Sequence, residues 1–190
     1  MNRKQFIVFY LVLITMTIGL AGHTREVGGV SIPESMNAGG QKMILNGAGV
    51  REKFFIDIYA VGLYLKNKKG NAKQILNADE PMAIRMHIVS GLVTPKKMAN
   101  NVNESFKRST GGNIAPIKDR KDKMISVFRN GIKKGDVYDL IYIPGTGVKV
   151  SKNGKVKQTI PGLDFKKALF GIWIASPPLS KDLKKALLGK

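Results

Sequence analysis

The 190 residues are 43% hydrophobic, enough to bury one sizeable core, and nothing in them suggests a second one. There is no cysteine, which excludes disulfides, thiolate metal sites and cysteine nucleophiles. Lysine and arginine outnumber the acids 32 to 13, and the formal charge of +19 attracts anionic surroundings without recognising any one of them.

The chain opens with a basic segment, 1–4, followed by an almost unbroken apolar run, 6–20, and small residues around Gly19 and Ala21. That order predicts a cleaved signal peptide over 1–21 and an exported, periplasmic domain over 22–190. A retained N-terminal anchor is the alternative, although the run is shorter than the roughly 20 residues of a spanning helix. Loss of Arg3 and Lys4 leaves a charge of about +17. Basic clusters at 66–69, 118–123 and 149–157 read as solvated turns and helix faces, so no nucleic-acid partner is expected.

A first strand is expected over 27–32, closed by Pro33, and a second over 42–45, with the turn-forming 37–40 between them. The rest of the chain is organised around 45–65, LNGAGVREKFFIDIYAVGLYL. From Phe54 the pattern has period two: the even positions predict a face against a core, and the odd positions, with Asp57 and Tyr59 among apolar groups, predict the floor of a lined cavity. The glycines of 46–49 allow a sharp turn or a close approach.

A short helix follows over 71–77, stopped by Pro81, and then an alternating strand over 82–89. His87 in that strand reads as a solvent-side or hydrogen-bonded residue, since a lone histidine, with His23 at the leader boundary as the only other, makes no metal site; no metal or cofactor is expected. Thr94 and Pro95 open a helix with Met98, Val102 and Phe106 along one stripe, and 114–130 contains another. Strands at 137–143, 148–151 and 156–160 form a hairpin array with turns at 144–147 and 153–154. The Gly145 and Gly147 pair is no phosphate loop, because a strand follows it and not a helix. Asp164 and Ser180 are expected to cap two final helices. The fold class is α+β, an open-faced β-sandwich with a large antiparallel sheet and helices layered on one face.

Seven segments in order carry a resemblance: NGAGVR at 46–51, FIDIYAVGLYL at 55–65, PGTG at 144–147, NGK at 153–155, IPGLDF at 160–165, ALFGIW at 168–173 and LKKALLG at 183–189. Together they resemble the chalcone isomerase family, in its bacterial chalcone-isomerase-like branch. The resemblance implies a ligand cleft between sheet and helices. In the plant isomerases the cleft uses an Arg, a Thr and a Tyr that order water, an Asn and a second Thr. Arg51 and Asn101 match by type, whereas Tyr59, Thr94 and the region of Ile172 and Trp173 replace the others. The fatty-acid-binding branch is similar in a further respect, since Arg51 with Tyr59 matches the Arg and strand Tyr that hold a carboxylate there. A straight strand would separate those two residues by roughly 26 Å, so a bend or hairpin between Arg51 and Phe55 is required.

Three functional expectations follow. The leading one is an exported protein binding an amphiphilic carboxylate through Arg51, Tyr59, Thr94, Asn101 and Trp173, without turnover. The second is an intramolecular lyase (an isomerase) acting on a chalcone or related enone, with Arg51, Tyr59 and Asn101 as its catalytic residues. The third is a basic surface-binding module. Membrane contact is expected only through an uncleaved leader or at the periphery, and the sequence leaves the oligomeric state open.

Overall fold

The structure, a computed structural model, describes residues 23–129 and 131–190. The expected leader, 1–21, lies outside them. In chain order the elements are β1 (Thr24–Val27), β2 (Val30–Pro33), β3 (Ser35–Ala38), β4 (Gln41–Lys53), β5 (Ile56–Leu65), α1 (Ala72–Asn77), β6 (Met82–Ile88) and α2 (Pro95–Ser109). A 3-10 turn (Ala115–Ile117) then leads into α3 (Lys118–Ser126), followed by β7 (Val137–Ile143), β8 (Gly147–Lys152), β9 (Lys155–Ile160), α4 (Leu163–Ile174) and α5 (Lys181–Leu187). No helix among the described residues is long and apolar enough to cross a membrane.

Strands β3 to β9 form one seven-stranded sheet in sequence order, antiparallel at every step. Helices pack on one of its faces. There Val61, Leu63, Ile84, Leu140 and Val150 meet Phe106, Phe165, Phe170 and Leu187 in the main core. The β1–β2 hairpin covers part of the opposite face, where Ile32, Leu45, Ala60 and Tyr64 form a smaller cluster, and the Tyr64 hydroxyl donates to the Pro33 carbonyl at 2.8 Å. From Tyr59 on, strand β5 is therefore buried on both faces. Its even side lies on the smaller core and its odd side on the larger, which explains the near-continuous apolar run better than an amphiphilic face does.

Several expected elements differ. The single strand over 27–32 is two strands joined at Gly28 and Gly29, whose φ values of +58° and +71° suit glycine. The strand expected over 42–45 runs on through the glycines to Lys53. Phe54 and Phe55 do not belong to β5: with φ of 52° and 61° they form the two-residue turn between β4 and β5. The helix expected within 114–130 is divided into the 3-10 turn and α3. Gly162, and not Asp164, occupies the N-cap of α4, and Asp164 sits in the first turn with its carboxylate gripped by Arg120 at 2.5 and 2.6 Å.

The glycines of β4 serve a close approach. A Cβ on Gly47 would collide with the Ala186 carbonyl oxygen and lie 2.8 Å from that of Leu187, so α5 can sit directly on the β4 backbone. Asn46 fastens this contact, with Nδ2 donating to the carbonyls of Leu187 at 2.8 Å and Lys69 at 3.0 Å. Lys166, fully buried on α4, donates to the carbonyls of Ile75, Leu76 and Ala78 at 2.9, 3.0 and 2.8 Å, which satisfies the end of α1.

Candidate functional site

The hairpin of β4 and β5 does what the spacing of Arg51 and Tyr59 requires. Its turn at Phe54 and Phe55 brings the strands back together, and Arg51 stands opposite Tyr59 in register, with an irregularity between Arg51 and Glu52. Both residues line a cavity of about 740 Å³ between the sheet and α2, α3 and α4. That volume falls among ligand pockets, roughly 300–1,000 Å³. Its walls are mainly apolar, with Met86 and Leu140 from the sheet, Met98 and Val102 from α2, Met124 from α3, and Leu169 and Ile172 from α4.

Tyr59 is buried, and its oxygen accepts a hydrogen bond from the Trp173 indole Nε1 at 3.1 Å. Burial pushes its phenol up to about 12, with the Trp173 bond and the Arg51 charge pulling in the other direction. At neutral pH Tyr59 is consequently a donor, and its own proton meets no protein acceptor among the described residues. Arg51 is half-buried, and Nη1 donates to the Glu52 carbonyl at 2.8 Å. The rest of its guanidinium has no protein acceptor among the described residues. A cation and a phenolic O–H thus stand side by side at the edge of an apolar space, an arrangement suited to an oxyanion.

Of the other predicted site residues, Asn101 and Trp173 also line the cavity. Thr94 does not: it caps α2, its hydroxyl oxygen accepting from the Lys97 backbone N–H at 3.3 Å, and the wall beside it comes from Leu92 and Val93. His87 belongs to the other face of the sheet, since it alternates with the core residues Met86 and Ile88. Its Nε2 is buried without a partner among the described residues, and its pKa is lowered by burial and then by Arg85. It cannot act as a base in the cavity.

Sequence reading missed Lys97, Ser105 and Arg108, all of which line the cavity. The signal was available, because with Asn101 they recur at four- and three-residue steps along α2 and form a polar stripe beside the apolar one. No cluster of metal-ligating side chains occurs among the described residues.

A family model described as chalcone isomerase-like matches residues 24–189. Among solved structures, a fatty-acid binding protein of Arabidopsis thaliana is similar with a TM-score of 0.67 and 21% sequence identity, over 85% of this chain and 92% of its own. Comparison with curated proteins gives no match.

Proposed function

The chain belongs to the chalcone isomerase-like family, and from that premise we propose that it is an exported protein that binds a fatty-acid-like carboxylate in the sheet–helix cavity without turning it over. The carboxylate is held by Arg51 and the Tyr59 hydroxyl, and the acyl chain lies along Met86, Met98, Leu140 and Ile172. One observation carries this assignment: Arg51 and Tyr59 oppose each other in register in the wall of a mainly apolar cavity. A guanidinium offers a carboxylate two parallel N–H donors, and a protonated phenol adds a third in surroundings that strengthen each bond. The binding activity named for the Arabidopsis protein agrees with such a ligand. Export rests on the composition of 1–21.

Titration with a long-chain fatty acid tests the proposal. Arg51→Ala removes charge-assisted bonds of about 1.5–3 kcal/mol, so affinity should fall by about 10- to 100-fold; unchanged affinity would remove the proposed anchor. The same donor pair would also stabilise a developing enolate, which is what favours the lyase as a second reading. A stopped-flow absorbance trace with naringenin chalcone separates the two: binding alone predicts the buffer rate, and acceleration that Arg51→Ala abolishes favours the lyase.

A further inference from the structure

Five large apolar side chains are exposed among the described residues, and four belong to one region: Phe54 (82%), Phe55 (97%), Ile56 (41%) and Leu92 (57%). Phe54, Ile56 and Leu92 line the cavity mouth, and Phe55 completes the turn beside them. Conformation and solvation both run against this choice of residues. A two-residue hairpin loop with both φ positive is ordinarily filled by Asn-Gly or a similar pair, because a bulky side chain is disfavoured there. Here two phenylalanines adopt φ of 52° and 61°, and the one aromatic contact either makes is the Lys53 ammonium, 5.4 Å from the Phe54 ring centre. Packing within the fold does not account for them.

Charge around the mouth is uneven. Arg51 and Lys53 line the cavity from the hairpin, and Lys97 and Arg108, both exposed, line it from α2. The one acid in the cavity wall, Glu104, is paired with Lys107 at 2.9 Å. The two acids of the hairpin end, Glu52 and Asp57, face each other in register and take no part in the wall.

We propose that the Phe54–Phe55 turn, with Leu92 beside it, is a docking tip that inserts into an anionic lipid bilayer and sets the cavity mouth at the headgroup layer. Aromatic side chains favour that interface, and a ring of lysine and arginine is drawn to acidic headgroups. A second copy of the chain fits less well. Pairing two such tips would bring two cationic rims together, and a stable interface usually needs roughly 800 Å² per partner, more than a narrow turn presents. The inference stands on exposure, turn geometry and charge, so it holds whether or not the cavity takes a carboxylate.

Partition of the full-length protein onto phosphatidylcholine vesicles, with and without phosphatidylglycerol and with no fatty acid added, tests it. Any contribution of 1–21 is common to all variants and cancels from their comparison. Wild type should partition onto the anionic vesicles, and the double variant Phe54→Asn with Phe55→Gly should partition about tenfold more weakly. That pair suits the turn, so the melting temperature should hold or rise. Leu92→Ser, outside the turn, should lower partition independently. Equal partition of wild type and both variants overturns the proposal, as does wild-type binding indifferent to phosphatidylglycerol. A wild-type dimer in sedimentation equilibrium that the double variant dissolves would overturn it in favour of self-association.

Discussion

Removing the hydroxyl of Tyr59 tests two bonds at once. Its oxygen accepts from Trp173, and its proton has no protein acceptor among the described residues. Tyr59→Phe leaves the buried indole N–H without a partner, which should cost about 1–2 kcal/mol in urea unfolding, and it should also weaken fatty-acid binding about tenfold; full retention of both would show that the hydroxyl contributes neither. Lys166 provides a pH test. Burial holds its amine down to about 8, below the ordinary 10.5, so between those values the unfolded chain keeps a proton that the folded chain has lost, and stability rises with pH. From about 10 the sign reverses, because Tyr59, Tyr64 and Tyr142 are pushed up to about 12, each first by burial, and unfolding becomes easier as pH climbs through that range. Urea midpoints should therefore increase from pH 8 to 10 and fall toward 12, and Lys166→Met should abolish the rise while keeping the fall. At this scale the sequence was informative where chemistry is sparse. The resemblance that pairs Arg51 with Tyr59, eight positions apart, implied a bend or hairpin between them, whereas Thr94, expected in the cavity, caps α2.

Elements were legible where turn chemistry is conventional. Asn153 and Gly154 announce the β8–β9 hairpin, and Thr94 followed by Pro95 announces α2. Which residues form the β4–β5 turn was hidden, because phenylalanine carries no turn signal and favours strands, so period two appeared to continue through it. The glycines of β4 signalled either a turn or a close approach, and only α5 resting on Gly47 decides between them. Gly47→Ala should consequently separate α5 from β4 and destabilise the fold by about 1–3 kcal/mol or more, read as a lower urea midpoint. Gly40→Ala supplies a contrast: nothing lies within 4 Å of its added Cβ, so its cost should reflect only a φ of +80°.

At the scale of the molecule, the sheet with helices on one face could be read from the order of hairpins and amphipathic helices. The second, smaller core could not. The β1–β2 hairpin that builds it comes from a segment read as one strand, and the period of β5, which put its even positions on a core, does not say that both sides are covered. The cavity follows from the same layering: it lies where α2, α3 and α4 meet the sheet beside the paired Arg51 and Tyr59. Three of its wall residues, Met86, Met98 and Met124, are buried thioethers. Peroxide that enters the cavity meets their sulfur along the route an acyl chain would take, and sulfoxides formed there would make the wall polar. An occupied protein should therefore gain oxygen at these three positions more slowly than an empty one, and once oxidised it should hold its cargo less firmly; peptide mass spectrometry after a timed peroxide exposure, with and without fatty acid, reads both the protection and the residues responsible for it.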